Sequence, residues 1–230
     1  ECVGQNQAPK VKASFGASRN QIPVVSKYLI GICVGALFYT LLNGGVSYMA
    51  LQFGMVPEAI ANGQWWRLVS AAFLHGGILH LAFNMYALYW LGPQLEQLLG
   101  HVRFASIYML SAIGGNVISY YFSDIATVSV GASGAIFGLM TATIVIGREL
   151  RADVSQLMTL LVLNVVIGFA SAGIDWRAHL GGAIVGAATG YLQTHSGKNL
   201  RFSGMTVIVV ILLALVFVRN QQVLNALIGQ

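Results

Sequence analysis

Seven apolar stretches of nearly membrane-spanning length run through this chain, and they constrain its fold more than any other feature. A helix needs about 20 mostly apolar residues to cross the hydrocarbon core of a bilayer. The stretches lie near residues 25–47, 67–91, 103–123, 132–148, 154–172, 177–194 and 203–219. Only 8% of the 230 residues are charged, whereas soluble domains carry about 25%. The sequence therefore predicts an all-α polytopic membrane protein.

The polar ends of the chain set the predicted domain boundaries. Residues 1–24 are predicted to form a polar cytoplasmic segment, 25–219 a single membrane domain with a core at about 53–194, and 220–230 a short C-terminal tail. The first residues lack the pattern of a signal peptide, and because the sequence begins with Glu1 we expect a fragment or a processed form. Cys2 and Cys33 lie far apart, so they predict neither a disulfide framework nor a metal site.

Lysine and arginine are distributed unevenly between the two sides of the predicted bundle. Cytoplasmic loops of membrane proteins carry an excess of these residues. One side holds nine, namely Lys10, Lys12, Arg19, Lys27, Arg103, Arg148, Arg151, Lys198 and Arg201, and the other holds three, namely Arg67, Arg177 and Arg219. We therefore expect a cytoplasmic N-terminus and, after seven spans, a C-terminus outside. The short connections favour a bacterial inner membrane, and the net charge of +5 reflects topology rather than nucleic-acid binding.

The connection at residues 48–66 is long and contains many apolar side chains, among them Phe53, Trp65 and Trp66. It is too apolar for a solvated loop and too irregular to span a bilayer. An interfacial loop in the outer leaflet, with its tryptophans at headgroup depth, fits this composition. For the tryptophans alone, an ordinary aromatic belt is the alternative.

The strongest chemical signal is Ser133, which enters the fourth stretch between glycines in Gly131-Ala-Ser-Gly134. The sixth stretch begins with Ala178-His-Leu-Gly-Gly182, which contains His179. Ionisable groups at membrane depth are costly and usually functional. Both residues lie toward the predicted outer ends of their helices. The pair predicts a serine nucleophile activated by a histidine base.

Glycines spaced by four accompany both residues and would let the two helices approach closely. Gly134 and Gly138 follow the serine, and Gly182, Gly186 and Gly190 follow the histidine. Either row of glycines alone more often serves only the packing of helices. No carboxylate is placed to orient His179, since Asp175 falls in the preceding loop and is predicted to be a helix N-cap. The sequence therefore favours a dyad over a triad.

Three further side chains in these stretches are candidates for the same site. His80 and Asn84 share a helix face and can donate hydrogen bonds to the oxyanion of an acyl-transfer intermediate. A structural bond between helices is the alternative for this pair. Phe137 lies one turn after Ser133 and could stack on the imidazole of His179, with ordinary core packing as the alternative.

The remaining histidines do not predict a metal centre. His75 and His80 are five residues apart, would not share a helix face, and have no carboxylate nearby. His101 and His195 fall in predicted cytoplasmic loops, where we expect them to be solvated. We expect neither a metal nor a cofactor.

In this order and on these successive stretches, the motifs resemble those of the rhomboid family of intramembrane serine proteases. The matching pieces are Trp66-Arg67, His75 to Asn84, Gly92 with Glu96, Gly131-Ala-Ser-Gly134, and Ala178-His-Leu-Gly-Gly182 with Gly186. The resemblance covers roughly residues 53–190. It implies a six-helix core to which the seventh stretch is an addition.

The resemblance also implies roles for individual residues. Ser133 is similar to the family nucleophile and His179 to its base, and His80, Asn84 and the main-chain N–H of Ser133 would form the oxyanion hole. Trp66-Arg67 would anchor the first external loop, and Glu96 would serve fold stability. Phe137 stands where some relatives have tyrosine. The implied substrates are single-pass membrane proteins, cleaved near the outer membrane face without a cofactor.

Two other classes of function compete with this interpretation. A non-catalytic protein that binds membrane clients on the same scaffold would have no use for both Ser133 and His179. A channel or transporter would favour internal repeats or acidic residues in mid-span, and we find neither. Nothing in the sequence indicates an oligomeric state.

Overall fold

The computed structural model describes residues 22–171 and 173–229, and most of this part of the chain is helical. The helices are α1 Val25–Leu42, α2 Gly45–Phe53, α3 Pro57–Ala61, α4 Arg67–Ser70, α5 Ile78–Leu99, α6 His101–Phe122, α7 Ser133–Glu149, α8 Ser155–Ala170, α9 Trp176–His195 and α10 Lys198–Ile228. A 3-10 turn, Ala71–Phe73, follows α4 directly. Most of the predicted polar segment 1–24 lies outside the described residues.

Seven of these helices have 16 residues or more, and they fall on the seven predicted apolar stretches. By length and apolar composition alone, two helices in the described ranges qualify as membrane spans, α1 and α10. A third qualifies if Arg67–Phe73 and α5 are counted as one bent span. The helices α7 and α8, with 17 and 16 residues, are short for a full crossing. The predicted number of seven spans therefore stays a prediction.

The first two predicted stretches have the wrong boundaries, and glycine is the reason in both. The first ends at Leu42 rather than near residue 47, because Gly44 has φ +95° and turns the chain into α2. The second is not one helix from residue 67. A bend of 91° separates Arg67–Phe73 from α5, and Gly77 in this bend has φ +147°. The helix α5 then continues to Leu99.

The connection 48–66 is more regular than predicted, because it contains most of α2 and all of α3. The buried guanidinium of Arg67 holds it in place. Its Nη1 donates to the carbonyl oxygens of Leu51 (2.8 Å) and Gly54 (3.0 Å), and its Nε donates to Gln64 Oε1 (2.7 Å). The neighbouring Trp66 remains exposed. This segment is therefore tied to the start of the second stretch.

The last helix is much longer than predicted. It begins at Lys198 and ends at Ile228, so the predicted tail 220–230 is helical over nearly all of its length. Arg219 donates to the carbonyl oxygens of Tyr120 (3.2 Å) and Ser123 (2.6 Å) at the end of α6. Asn220 accepts a hydrogen bond from the hydroxyl of Tyr120, and Val223 is fully buried. These contacts stabilise the helical conformation of the residues beyond 219.

Glycines allow α6, α7 and α9 to form the tightly packed centre of the bundle. A β-carbon on Gly182 would overlap the carbonyl oxygen of Gly134, and one on Gly186 would overlap the main chain of Gly138. On the other side, a β-carbon on Gly115 in α6 would come within 2.6 Å of the carbonyl oxygen of Ala178. The helices α7 and α9 run in the same direction, so their N-terminal ends lie together.

Glu96 joins α5 to the beginning of α1. Its buried carboxylate accepts hydrogen bonds from the main-chain N–H groups of Val24 (2.9 Å), Val25 (2.8 Å) and Ser26 (2.9 Å), and from the Ser26 hydroxyl (2.8 Å). These first N–H groups of a helix have no acceptor within it. A carboxylate from another helix therefore caps α1.

The expectation that His101 and His195 are merely solvated was wrong. His101 Nδ1 lies 2.5 Å from Glu96 Oε1. His195 Nε2 lies 3.0 Å from Glu149 Oε2, and its ring stacks on Tyr191 with centroids 4.1 Å apart. Both histidines sit at helix ends, where the packing of the bundle brings a carboxylate to them.

Candidate active site

Ser133 and His179 lie at the paired N-terminal ends of α7 and α9. Ser133 is the first residue of α7, and His179 is the fourth residue of α9. Their side chains meet at a distance of 2.9 Å between Ser133 Oγ and His179 Nε2. The glycine contacts described above bring the two helices close enough for this hydrogen bond.

The ring of Phe137 lies flat against the imidazole of His179. The two ring centroids are 4.1 Å apart and the planes differ by 13°. Phe137 is 4% exposed, and it lies one turn after Ser133 on the same face of α7. It therefore restricts the tilt of the imidazole that contacts the serine.

In the part of the chain that the structure describes, no carboxylate orients the second ring nitrogen of His179. Among the described residues, His179 Nδ1 is buried and has no hydrogen-bond partner. Asp175 instead accepts a hydrogen bond from the main-chain N–H of Ala178 (3.3 Å) and another from the hydroxyl of Ser119. The prediction that Asp175 is a helix N-cap is confirmed.

His80 faces the same small space as Ser133. A β-carbon on Gly131 would lie 2.9 Å from both Nε2 and Cε1 of His80, and 3.6 Å from Ser133 Oγ. Gly131 has φ +141°, a conformation that side chains rarely adopt. Glycine at this position therefore leaves open a space that the histidine ring and the serine hydroxyl both border.

Asn84 lies one turn after His80 in α5 and is 7% exposed. Its Nδ2 donates to the main-chain carbonyl oxygen of His80 at 2.8 Å. An amide nitrogen carries two hydrogens, so this bond leaves Asn84 a second donor.

Main-chain contacts fix the loop that leads into Ser133. The N–H of Gly131 donates to the carbonyl oxygen of Ala71 at 2.9 Å. Met55 and Ser129 exchange two main-chain hydrogen bonds of 2.9 and 3.0 Å. At the start of α7, the N–H of Ser133 has no acceptor within its own helix. The positive end of the helix dipole also lies there. The N–H of Ser133 and the positive end of the α7 dipole can thus stabilise an anion beside Ser133 Oγ.

The other predicted supporting residues act at a distance or through packing. Arg67 and Trp66 belong to the anchored segment before the 91° bend, and Glu96 lies near the opposite end of α5 from His80. Gly134 packs directly under the site, where a β-carbon would lie 3.1 Å from the carbonyl oxygen of Ala178.

The sequence reasoning missed three residues near the site. His75 was included in the matching piece His75 to Asn84 but was given no role of its own, and as a possible metal ligand it was not expected to share a helix face with His80. It lies in the loop before α5 and not on the helix, so its ring contacts His80 with centroids 5.2 Å apart. Gly76 donates its N–H to His80 Nδ1 at 3.2 Å. Gly168 of α8 leaves room beside His179, since a β-carbon there would lie 3.3 Å from Nδ1. The glycine pair after His75 was a usable signal for the bend.

An apolar cavity of about 100 Å³ opens beside His179 between α7, α8 and α9. Its lining residues are Phe137, Leu161, Val165, Phe169, Trp176, His179, Leu180 and Ala183. In the described ranges, no three histidine, cysteine, aspartate or glutamate side chains form a group that could hold a metal ion.

Comparisons with known proteins agree with the sequence motifs. The Rhomboid domain family model matches residues 62–196. Rhomboid protease GluP of Bacillus subtilis is 34% identical over 188 residues, which cover 78% of this chain and 37% of GluP. RHOMBOID-like protein 5 of Arabidopsis thaliana is 38% identical over 141 residues, covering 58% of this chain and 45% of that protein. Rhomboid protease AarA of Providencia stuartii is 29% identical over 230 residues, covering 87% of this chain and 82% of AarA.

This chain therefore spans less than half the length of two of these three relatives. The family model nevertheless matches more than half of the chain, and the matched residues include Ser133 and His179. The all-helical architecture with apolar helices agrees with this match. The chain belongs to the rhomboid family and is an integral, polytopic α-helical membrane protein.

Proposed function

We propose that this chain is an intramembrane serine endopeptidase that cleaves transmembrane segments of membrane proteins. The contact between His179 Nε2 and Ser133 Oγ at 2.9 Å carries the proposal, because a nucleophile and its base must share a hydrogen bond. Relatives named as rhomboid proteases support it. The retention of both side chains favours catalysis over the binding of clients alone.

The reaction is acyl transfer. His179 Nε2 takes the proton of the Ser133 hydroxyl while Oγ attacks the carbonyl carbon of the scissile peptide bond. The resulting oxyanion accepts hydrogen bonds from the main-chain N–H of Ser133, from His80 Nε2–H and from the free N–H of Asn84. Loss of one such donor typically lowers kcat by about 10²- to 10³-fold.

Collapse of the tetrahedral intermediate passes the proton from His179 to the leaving amine and leaves an acyl-enzyme on Ser133. A water molecule then attacks the ester carbonyl while His179 takes one of its protons. Collapse of this second tetrahedral intermediate breaks the bond to Ser133 Oγ, returns the proton from His179 to that oxygen and releases the new C-terminal carboxyl group. The stacked ring of Phe137 keeps the imidazole in one orientation through both steps. The substrate helix must unwind locally, because a helix holds its carbonyls in internal hydrogen bonds.

We propose that substrate reaches the site by displacement of α8 rather than of the segment 48–66. Leu157 and Gly168 are the residues that α8 buries, and the cavity beside His179 already separates part of it from α7 and α9. The segment 48–66 is instead held by Arg67 and by the Met55–Ser129 bridge. Of the two elements, α8 has fewer interactions to break.

The proposed setting is a bacterial inner membrane, with the N-terminus in the cytoplasm and the C-terminus outside. The uneven distribution of lysine and arginine supports this orientation. It puts Ser133 and His179 toward the outer face, where water can reach them, and makes single-pass transmembrane proteins the substrates. Membrane lipid surrounds the bundle.

The test is cleavage of a model single-pass substrate by the purified protein in detergent. Ser133→Ala and His179→Ala should each abolish cleavage, because each removes one member of the hydrogen-bonded pair. Ser129→Ala and His195→Ala are matched controls. Ser129 makes its bonds to Met55 through the main chain, and His195 lies at the far end of α9.

Specific cleavage near the outer boundary, lost in both site variants and kept in both controls, would establish the dyad. Cleavage that survives Ser133→Ala would rule out the proposed nucleophile. If the wild-type protein binds substrates without cleaving them, the client-binding function takes precedence.

A further inference from the structure

We infer that the main-chain N–H of Gly76 sets the tautomer of His80, so that this histidine presents Nε2–H as a donor beside Ser133. Gly76 is thus a positioning residue that acts through His80. The inference rests on the proposed function, since a donor is needed there only if an oxyanion forms.

One hydrogen bond joins the main chain of Gly76 to the ring of His80. Gly76 N lies 3.2 Å from His80 Nδ1, with the N–H directed at the ring nitrogen. An N–H can donate only to a ring nitrogen that carries no proton of its own. In the neutral ring the proton is therefore on the other nitrogen, Nε2.

The other ring nitrogen, Nε2, faces the space beside Ser133. Nε2 and Cε1 of His80 both lie 2.9 Å from the point where a β-carbon on Gly131 would stand, and Ser133 Oγ lies 3.6 Å from the same point. The protonated edge of the ring therefore borders the space beside the nucleophile. The opposite tautomer would present a lone pair to this space, and a lone pair repels an oxyanion.

The bend before α5 is what brings Gly76 to the ring. His75 and Gly76 lie between the 3-10 turn and α5, where the chain changes direction by 91°. The buried ring of His75 packs against His80 in a T-shaped arrangement, with 68° between the planes. The His80 ring thus contacts His75, and its Nδ1 accepts from Gly76, which together fix both the orientation and the proton of His80.

The test compares Gly76→Pro with Gly76→Ala. Proline has no N–H, whereas alanine keeps it, and a β-carbon at this position lies 3.4 Å from His80 Nδ1. We expect Gly76→Ala to retain most of the wild-type kcat. We expect Gly76→Pro to lose about 10²-fold in kcat, the effect of one oxyanion donor, with KM little changed. Thermal unfolding in detergent shows whether each variant is folded.

Nitrogen NMR of ¹⁵N-histidine-labelled wild-type protein tests the same inference without any variant at Gly76. The His80 resonances, assigned by their loss in His80→Gln, should show a protonated Nε2 and an unprotonated, hydrogen-bonded Nδ1. The same signature should persist in Gly76→Ala.

A protonated Nδ1, an exchanging mixture of tautomers, or a folded Gly76→Pro variant with wild-type kcat would each overturn the inference. If Gly76→Pro does not fold, the inference is judged on whether the wild-type spectrum shows a protonated Nε2 and a hydrogen-bonded, unprotonated Nδ1. A wild-type protein that shows the expected tautomer but cleaves nothing would refute the proposed function and leave the tautomer assignment intact.

Discussion

The main chain of Gly138 in α7 lies directly against Gly186 in α9, and a β-carbon on Gly186 would overlap it. This contact lies one to two helical turns from the pair formed by Ser133 and His179. Because the two helices run in the same direction, their separation at the glycines sets their separation at the site. The 2.9 Å contact between the serine and the histidine therefore depends on residues that never touch the substrate.

The first prediction concerns this contact. Gly186→Ala should lower the thermal unfolding temperature and strongly reduce cleavage, because overpacking a tight contact costs about 1–3 kcal/mol and moves His179 away from Ser133. Gly31→Ala in α1 is the control, since no neighbouring atom of residues 22–171 or 173–229 lies within 4 Å of the β-carbon it would add. Equal activity of the two variants would show that the glycine contact does not position the site.

Phe137 should influence turnover through its stacking on His179. Phe137→Tyr keeps an aromatic ring and should retain near-wild-type kcat. Phe137→Leu removes the stack and should lower kcat by roughly two- to tenfold, which corresponds to the energy of an aromatic pair. The measurement is steady-state kinetics on a model substrate. An equal loss in the tyrosine and leucine variants would contradict a stacking role.

Glu96→Gln should destabilise the fold without changing the geometry of the site. The carboxylate accepts three main-chain N–H bonds at the start of α1, and hydrogen bonds to a charged group contribute about 1.5–3 kcal/mol. We expect a lower unfolding temperature in detergent, with kcat little changed at temperatures where the variant is folded. Glu58→Gln, at an exposed residue of α3, is the matched control. Equal unfolding temperatures for both variants would refute the capping role.

Arg219→Gln should loosen the end of α10. The guanidinium donates to the carbonyl oxygens of Tyr120 and Ser123, and a glutamine side chain is too short to reach both. Hydrogen–deuterium exchange should become faster over residues 219–228 and at the end of α6, and stay unchanged at the start of α7. Lys198→Gln, at the opposite end of the same helix, should leave all three regions unchanged. Unchanged exchange in the arginine variant would show that other contacts hold this end.

Local patterns were enough to predict most of the helices. The apolar stretches correspond to the long helices, and the stop signals that were overlooked, such as Gly44 and Gly77, are themselves local. The extension of α10 beyond residue 219 was not predictable from local patterns. Its last nine residues are helical because Arg219, Asn220 and Val223 find partners on α6 and near α3, about 100 residues away for the Tyr120 pair.

The environments of several side chains also depended on contacts between distant parts of the chain and not on local patterns. His101 and His195 looked like solvated loop residues because their partners, Glu96 and Glu149, are recognised only once the helix ends are placed in space. His75 was not expected to share a helix face with His80, and the bend brought the two rings together.

By itself, the sequence determined the fold class, the placement of the long helices and the identity of the candidate serine and histidine, because these depend on composition and on short motifs. Only the tertiary structure decided that Ser133 and His179 meet, that Phe137 stacks on the imidazole, and that Gly76 reaches His80. The physical reason is that these contacts depend on how closely helices pack and on the angle of a single bend. The serine and the histidine are 46 residues apart in the chain, and no local pattern specifies a distance between two helices.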